Sequence, residues 1–264
     1  MNFLRISIIM IFMIVYIMGN AQVDQATHFN TWWSVKAKID LSDRFYVNSQ
    51  ISLRRYDFLK SWQKIVLRAR GLYRISDLVV AGLGYTYSHS FEPDQPSQYV
   101  SIPRHDIFTE FGFTNKFDAL KIINRFRLEH RFSGIMNIPE DSSENAYIDG
   151  IKFSNRLRYR MTFKYPLLKE NGKTKIYAAG FYELFLRMTG KFKILNISGN
   201  IFKVVGGYRI SNTTIIEVGY RRHIKHEKDY SFKEINNIID LSLKYRFDYA
   251  DAIKKNILPI IIDR

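Results

Sequence analysis

From residue 28 to residue 247 the chain alternates between apolar and polar residues with a period of two. Residues 28–40 carry Thr31, Trp33, Val35, Ala37 and Ile39 on one face and Ser34, Lys36 and Lys38 on the other. Residues 45–56 set Val47, Ile51 and Leu53 against Asn48, Gln50, Ser52 and Arg54. Residues 62–75 put Lys64, Arg68, Arg70 and Arg74 opposite Ile65, Leu67, Ala69, Gly71 and Tyr73, and residues 78–90 continue the pattern. Successive side chains of a strand point to opposite sides, so each segment builds a wall with one apolar and one polar surface. Eleven such segments can be picked out, ending with 105–117, 120–133, 150–165, 176–188, 199–210, 213–224 and 234–247.

Their length narrows the choice of fold. Many run to 12 or 13 residues, against about 5–6 for a strand of a soluble protein. A tilted strand needs about 9–11 residues to cross the apolar layer of a membrane. No backbone group can stay unpaired in hydrocarbon, so a sheet there must close on itself. The fold class expected is therefore all-β, an antiparallel transmembrane β-barrel of 10–12 strands. Because closure by antiparallel pairing calls for an even number, ten or twelve strands are favoured over eleven.

The ends set the compartment. Arg5 precedes an apolar run over residues 6–18, and Gly19-Asn20-Ala21 follows with small residues at the two positions a signal peptidase reads. The run is shorter than the roughly 20 residues of a spanning helix, so residues 1–21 read as a cleaved signal peptide. Residues 22–264 then form one barrel domain, with its core over 28–247 and a C-terminal tail over 248–264. That places the protein in the outer membrane. Aromatics make up 15% of the chain while its mean hydropathy is −0.20, a pairing that suits an alternating wall and not a bundle of apolar helices. Cysteine is absent, which removes disulfides and thiolate sites.

The turns raise a topological question. The shortest connections follow the first, third, fifth and ninth segments, and barrels keep their short turns in the periplasm. The first strand would then begin outside the cell, whereas a barrel with an even number of strands keeps both ends inside. Residues 91–104 carry three prolines and read as a loop, as do residues 134–149.

Charges at strand spacing are the main candidates for function. Arg68 and Arg70 share a face; so do Arg125, Arg127, Glu129 and Arg131; so do Arg156, Arg158 and Arg160; and so do Glu183 and Arg187. A charge facing lipid costs about 2–4 kcal/mol at mid-membrane, so these faces look into the barrel. They form either a salt-bridged filling or a passage that favours anions. The formal net charge of +15 fits a polar lumen and anionic lipid head groups. It comes with no zinc-finger or helix-turn-helix pattern, so nucleic acid is not expected as a partner.

Other constellations are weaker. Ser88-His89-Ser90 is the nearest approach to a nucleophile and base, but neighbours on a strand face opposite ways, so no catalytic residue is assigned. A lipid-modifying enzyme is the alternative reading to a small pore or structural barrel. His223, His226 and Glu227 sit in a Lys-rich loop, and no metal or cofactor is assigned. Trp32, Trp33, Trp62, Tyr85 and Tyr87 read mainly as interfacial girdle residues, and Gly82, Gly84, Gly206 and Gly207 as points where a curved sheet needs small residues. The partners expected are outer-membrane lipids, the chaperone and assembly machinery of barrel insertion, and a small anionic solute.

Several motifs together resemble a known family. Arg127-Leu128-Glu129-His130-Arg131, followed by Asn155-Arg156-Leu157-Arg158-Tyr159-Arg160, is similar to the paired arginine-rich strands of the domain-of-unknown-function 2490 family. Tyr182-Glu183-Leu184-Phe185 resembles its later glutamate–aromatic strand, and residues 206–211 with Val218-Gly219-Tyr220 resemble its closing hairpin. Trp32-Trp33 and residues 41–45 fit its start. The resemblance implies an outer-membrane barrel of Gram-negative bacteria and no catalytic residue, cofactor or substrate. The chain departs from it at Gly199-Asn200-Ile201 and in the tail after Phe247.

Overall fold

The computed structural model describes residues 24–91, 101–137, 147–188, 194–227, 230–249 and 252. Eleven strands close into one barrel: β1 (Asp24–Asp40), β2 (Phe45–Tyr56), β3 (Ser61–Arg74), β4 (Val79–Phe91), β5 (Ser101–Phe117), β6 (Leu120–Asn137), β7 (Tyr147–Glu170), β8 (Lys173–Met188), β9 (Ile194–Arg209), β10 (Thr214–His226) and β11 (Phe232–Asp248). Each strand pairs antiparallel with its neighbours in sequence. The closing pair is different: β1 and β11 run parallel, in register from Asp24↔Phe232 to Asp40↔Asp248. The expectation of an even number is corrected here. An odd meander brings its first and last strands together pointing the same way, and a parallel ladder also satisfies every backbone group. The eleven segments of the alternation were the right count, and the parity rule was the wrong guide.

The odd count also answers the question of the turns. Connections β1–β2, β3–β4, β5–β6, β7–β8 and β9–β10 gather at one end, the turn end, together with the C-terminal end of β11. The N-terminal end of β1 lies at the other, the loop end, so the two ends of the barrel chain leave on opposite sides. Residues 1–21, expected to be a signal peptide, and nearly all of the tail lie outside the described residues.

Three of the short turns share one device. In residues 41–44, 75–78 and 210–213 an aliphatic residue, a serine and an Asp or Asn come in that order. The serine hydroxyl accepts the backbone N–H three residues on: Phe45 to Ser42 at 2.9 Å, Val79 to Ser76 at 3.1 Å and Thr214 to Ser211 at 3.1 Å. Such local side-chain bonds are what suits Ser and Asx to turns. The β7–β8 turn uses Asn171 and Gly172 at φ 50° and 72°, a left-handed pair that matches the twist of a hairpin.

Several strands are longer than the alternation implied. β5 starts at Ser101, so Pro103 and Arg104 belong to the sheet; β6 runs on to Asn137, β7 starts at Tyr147, and the β7–β8 hairpin continues to Glu170 and Lys173. Strands of 13–24 residues exceed the span of the apolar layer. The extra residues project beyond it, where two-sided patterning is no longer enforced.

The outer wall is apolar. Leu83 is 67% exposed, and Val35, Ile51, Ile107 and Val218 are all more than half exposed. Contiguous apolar exposure on this scale marks a surface made for lipid. Phe45, Tyr73, Phe117, Tyr208 and Tyr245 ring the turn end, and Phe29, Phe58, Trp62 and Phe153 lie towards the loop end, all exposed. Trp32 departs from the girdle reading: at 4% exposed it points inward, donates its indole N–H to Gln63 Oε1 at 3.0 Å and lies under the guanidinium of Arg54.

Candidate functional site: the charged lumen

The inward faces of β5 to β8 carry a closed cycle of ion pairs. Pairing in the sheet sets Glu110 beside Arg127, Glu129 beside Arg156, and Arg160 beside Glu183. Arg127 reaches Glu110 at 2.7 Å and Glu129 at 3.7 Å. Arg158 joins Glu129 at 2.8 Å to Glu183 at 2.9 Å. Arg125 completes the ring, at 2.8 Å from Glu183 and 4.0 Å from Glu110. Three carboxylates and three bridging guanidinium groups thus alternate around the cycle. Each carboxylate also holds one outer arginine: Arg70 on Glu110 at 2.5 Å, Arg156 on Glu129 at 2.6 Å and Arg160 on Glu183 at 2.6 Å.

Aromatic rings support the cycle from within. Arg127 lies 4.0 Å over Phe108, Arg158 lies 4.8 Å over Phe185, and Arg160 lies 4.0 Å over Phe181. Planar guanidinium groups stack well on ring faces while still donating in their own plane. Phe108 has room because Gly84 stands beside it on β4; a Cβ there would come within 2.5 Å of the ring. Gly207 does the same for Tyr177, whose hydroxyl donates to Glu217 at 2.6 Å.

The other inward carboxylates are also shared among cations. Asp240 binds Lys203 at 2.6 Å and Arg221, and Glu217 binds Lys244 at 2.6 Å. At the turn end Asp40 gathers Lys38 at 2.7 Å, Arg74 at 2.6 Å and Arg246 at 2.9 Å, clasping β1, β3 and β11 across the parallel seam. Asn30 Nδ2 donates to Asn236 Oδ1 at 2.5 Å further along the same seam. Asp106 lies 3.4 Å from Arg104 and 3.7 Å from Arg131.

A cavity of about 900 Å³ lies within the barrel, its lining extending from Lys38 and Asn48 near the turn end to Ser90, Lys225 and His226 near the loop end. Nineteen lysine and arginine side chains line it, against the three carboxylates Asp106, Glu217 and Glu234. Glu110, Glu129, Glu183 and Asp240 are buried among their cations.

Of the charges singled out in the sequence, Arg70, Arg125, Arg127, Glu129, Arg156, Arg158, Arg160 and Glu183 come together in the cycle. Arg131 stands apart beside Asp106. Among the described residues Arg68 makes no ion pair, and it donates Nε to Thr86 at 2.9 Å. Arg187 lines the cavity on the β8 wall. Sequence reasoning missed Glu110, a single carboxylate between Thr109 and Phe111. Its inward parity with Asp106 was the available signal.

The family of proteins of unknown function DUF2490 is matched over residues 29–231. The chain belongs to that family. Among solved structures, a porin described as "NanC porin structure in rhombohedral crystal form" is similar at 9% identity, over 73% of this chain and 85% of its own, with a TM-score of 0.43. No curated protein matches.

For this member of DUF2490 the geometry gives no support to the catalytic and metal constellations. Ser88 faces inward, whereas His89 packs outside against Tyr87 and Phe91, with its Nδ1 3.2 Å from the Tyr87 hydroxyl. His223 sits inside, edge-on to Trp32 and Phe185, and His226 packs against Tyr230. Among the described residues no group of three His, Cys, Asp or Glu side chains comes together.

Proposed function

We propose that the barrel is an outer-membrane pore that admits small anions. The observation that carries this reading is the cavity, in which cationic side chains far outnumber carboxylates along the whole length of the barrel. Positive linings favour anions and repel cations. The ion-pair cycle lies on the β5–β8 wall and the cavity continues past it, so a salt-bridged filling accounts for that wall and not for the space beside it. The apolar band meets outer-membrane lipids, and insertion relies on the chaperone and assembly machinery for barrels. Residues 1–21 direct export and are removed. With short turns in the periplasm, the start of β1 lies at the cell surface.

Planar-bilayer recording with folded protein under a KCl gradient tests the pore. The expected result is a steady current whose reversal potential is displaced towards that of chloride. A persistent lack of current from protein shown to be folded by its heat-modifiable migration refutes it.

A further inference from the structure

We propose that the β2–β4 wall of the lumen is a binding site for a small hydroxylated carboxylate, formed by Arg54, Lys64 and Arg68 with Ser88. This rests on the pore reading for access to the lumen, but the site itself is argued from different residues. Lys64 and Arg68 project inward from β3, with Val66 between them. Arg54 on β2 is paired in the sheet with Lys64, and Ser88 on β4 with Val66. All of them line the cavity.

The patch is built for an anion that the protein does not itself supply. Among the described residues no carboxylate forms an ion pair with Arg54, Lys64 or Arg68, whereas Asp40, Asp106, Glu110, Glu129, Glu183, Glu217 and Asp240 each hold at least two cations. Arg104, Arg131 and Lys225 line the same cavity as these three. Like charges packed together in a polar cavity raise the local concentration of anions. Ser88 is 1% exposed, and among the described residues neither its hydroxyl nor Arg54 Nε has a hydrogen-bond partner. A buried polar atom without a partner is costly and calls for one.

The chemistry of the surroundings selects the class. Arg54 already covers the face of Trp32, at 3.7 Å, so the patch offers little apolar surface beyond Val66. Next to the cations stand the hydroxyls of Ser88 and Ser90, which both donate and accept, and that of Thr86, which accepts Arg68 Nε and can still donate. A solute with a carboxylate for the cations and hydroxyl groups for the serines satisfies both sets. A hydrocarbon acid satisfies only the first.

The test uses glucuronate as probe, with glucose, acetate and inorganic phosphate for comparison. In single-channel recordings glucuronate is expected to block the chloride current, glucose not to block it, and acetate and phosphate to block more weakly. Changing Lys64→Gln and Arg68→Gln together should weaken glucuronate block by more than about tenfold, a loss of about 1.4 kcal/mol. Lys64→Arg with Arg68→Lys should restore most of it, which a merely structural role would not. Block that is unchanged in the glutamine variant overturns the site, and equal block by phosphate or acetate overturns the class. If no current flows, the pore reading fails separately. Quenching of Trp32 fluorescence by glucuronate, in detergent-folded protein carrying Trp33→Phe and Trp62→Phe, then decides the site: saturable quenching lost with Lys64→Gln supports it, and no quenching overturns it.

Discussion

The β5–β8 wall and the β2–β4 wall enclose the same cavity and are both rich in arginine, yet they treat charge in opposite ways. On β5–β8 each carboxylate holds three guanidinium groups and the cycle closes on itself, buried and stacked on Phe108, Phe181 and Phe185. On β2–β4 Arg70 reaches across to Glu110, but among the described residues Arg54, Lys64 and Arg68 form no ion pair with a carboxylate. The first arrangement spends its charges on internal bonds and stiffens the barrel. The second leaves its charges available to whatever enters. An arginine in a lumen therefore has no fixed meaning, and what decides it is whether a carboxylate lies within reach, in register as for Arg127, Arg156 and Arg160 or off register as for Arg70, Arg125 and Arg158.

Graded substitutions can break that contrast. The largest effect is expected for Glu183→Ala. It leaves Arg125, Arg158 and Arg160 without their shared carboxylate, and removal of one partner from a buried ion pair costs about 3–5 kcal/mol. The midpoint of urea unfolding, followed by heat-modifiable migration, should fall accordingly; no shift would show that the cycle does not stabilise the fold. Arg156→Gln, at the edge of the same cycle, removes two hydrogen bonds to Glu129 at 2.8 and 2.6 Å but leaves Arg158 in place. A loss of about 1.5–3 kcal/mol is expected in the same assay. Lys64→Gln should be the smallest, within about 0.5 kcal/mol of the parent, because it removes one cation from a group of cations. A loss from Lys64→Gln as large as that from Glu183→Ala would erase the distinction between the walls.

Much of this was readable in the sequence, for a physical reason. Lipid on one side and a polar lumen on the other enforce a period of two along the full wall, so the alternation found all eleven strands and the faces of their charges. It gave out where that pressure ends: at Ser101–Arg104, 134–137, 147–149 and 166–170 the strands continue beyond the apolar band and their pattern relaxes. Partnership was harder to read than direction. Arg68 and Arg127 look alike as inward arginines on alternating strands, but only Arg127 has a glutamate beside it, and that glutamate, Glu110, is fixed by the pairing of β5 with β6. Trp32 looked like a girdle residue because Trp33 beside it is one. Only parity, Asn30, Trp32 and Ser34 facing inward together, separates the two.

The parallel closure governs how such a chain can reach its final form. Ten neighbouring pairs arise by hairpin extension, each joining segments close in the chain. The eleventh joins distant positions, such as Asp24 with Phe232 in the ladder and Asn30 with Asn236, 206 residues on, through their side chains. Bringing such distant segments together carries the largest loop entropy in the molecule. The seam is therefore the last zipper to fasten, and until it does, both margins of the ribbon remain open templates. A chain held with its N-terminal margin unfastened would show one bare strand whose neighbour must arrive pointing the same way.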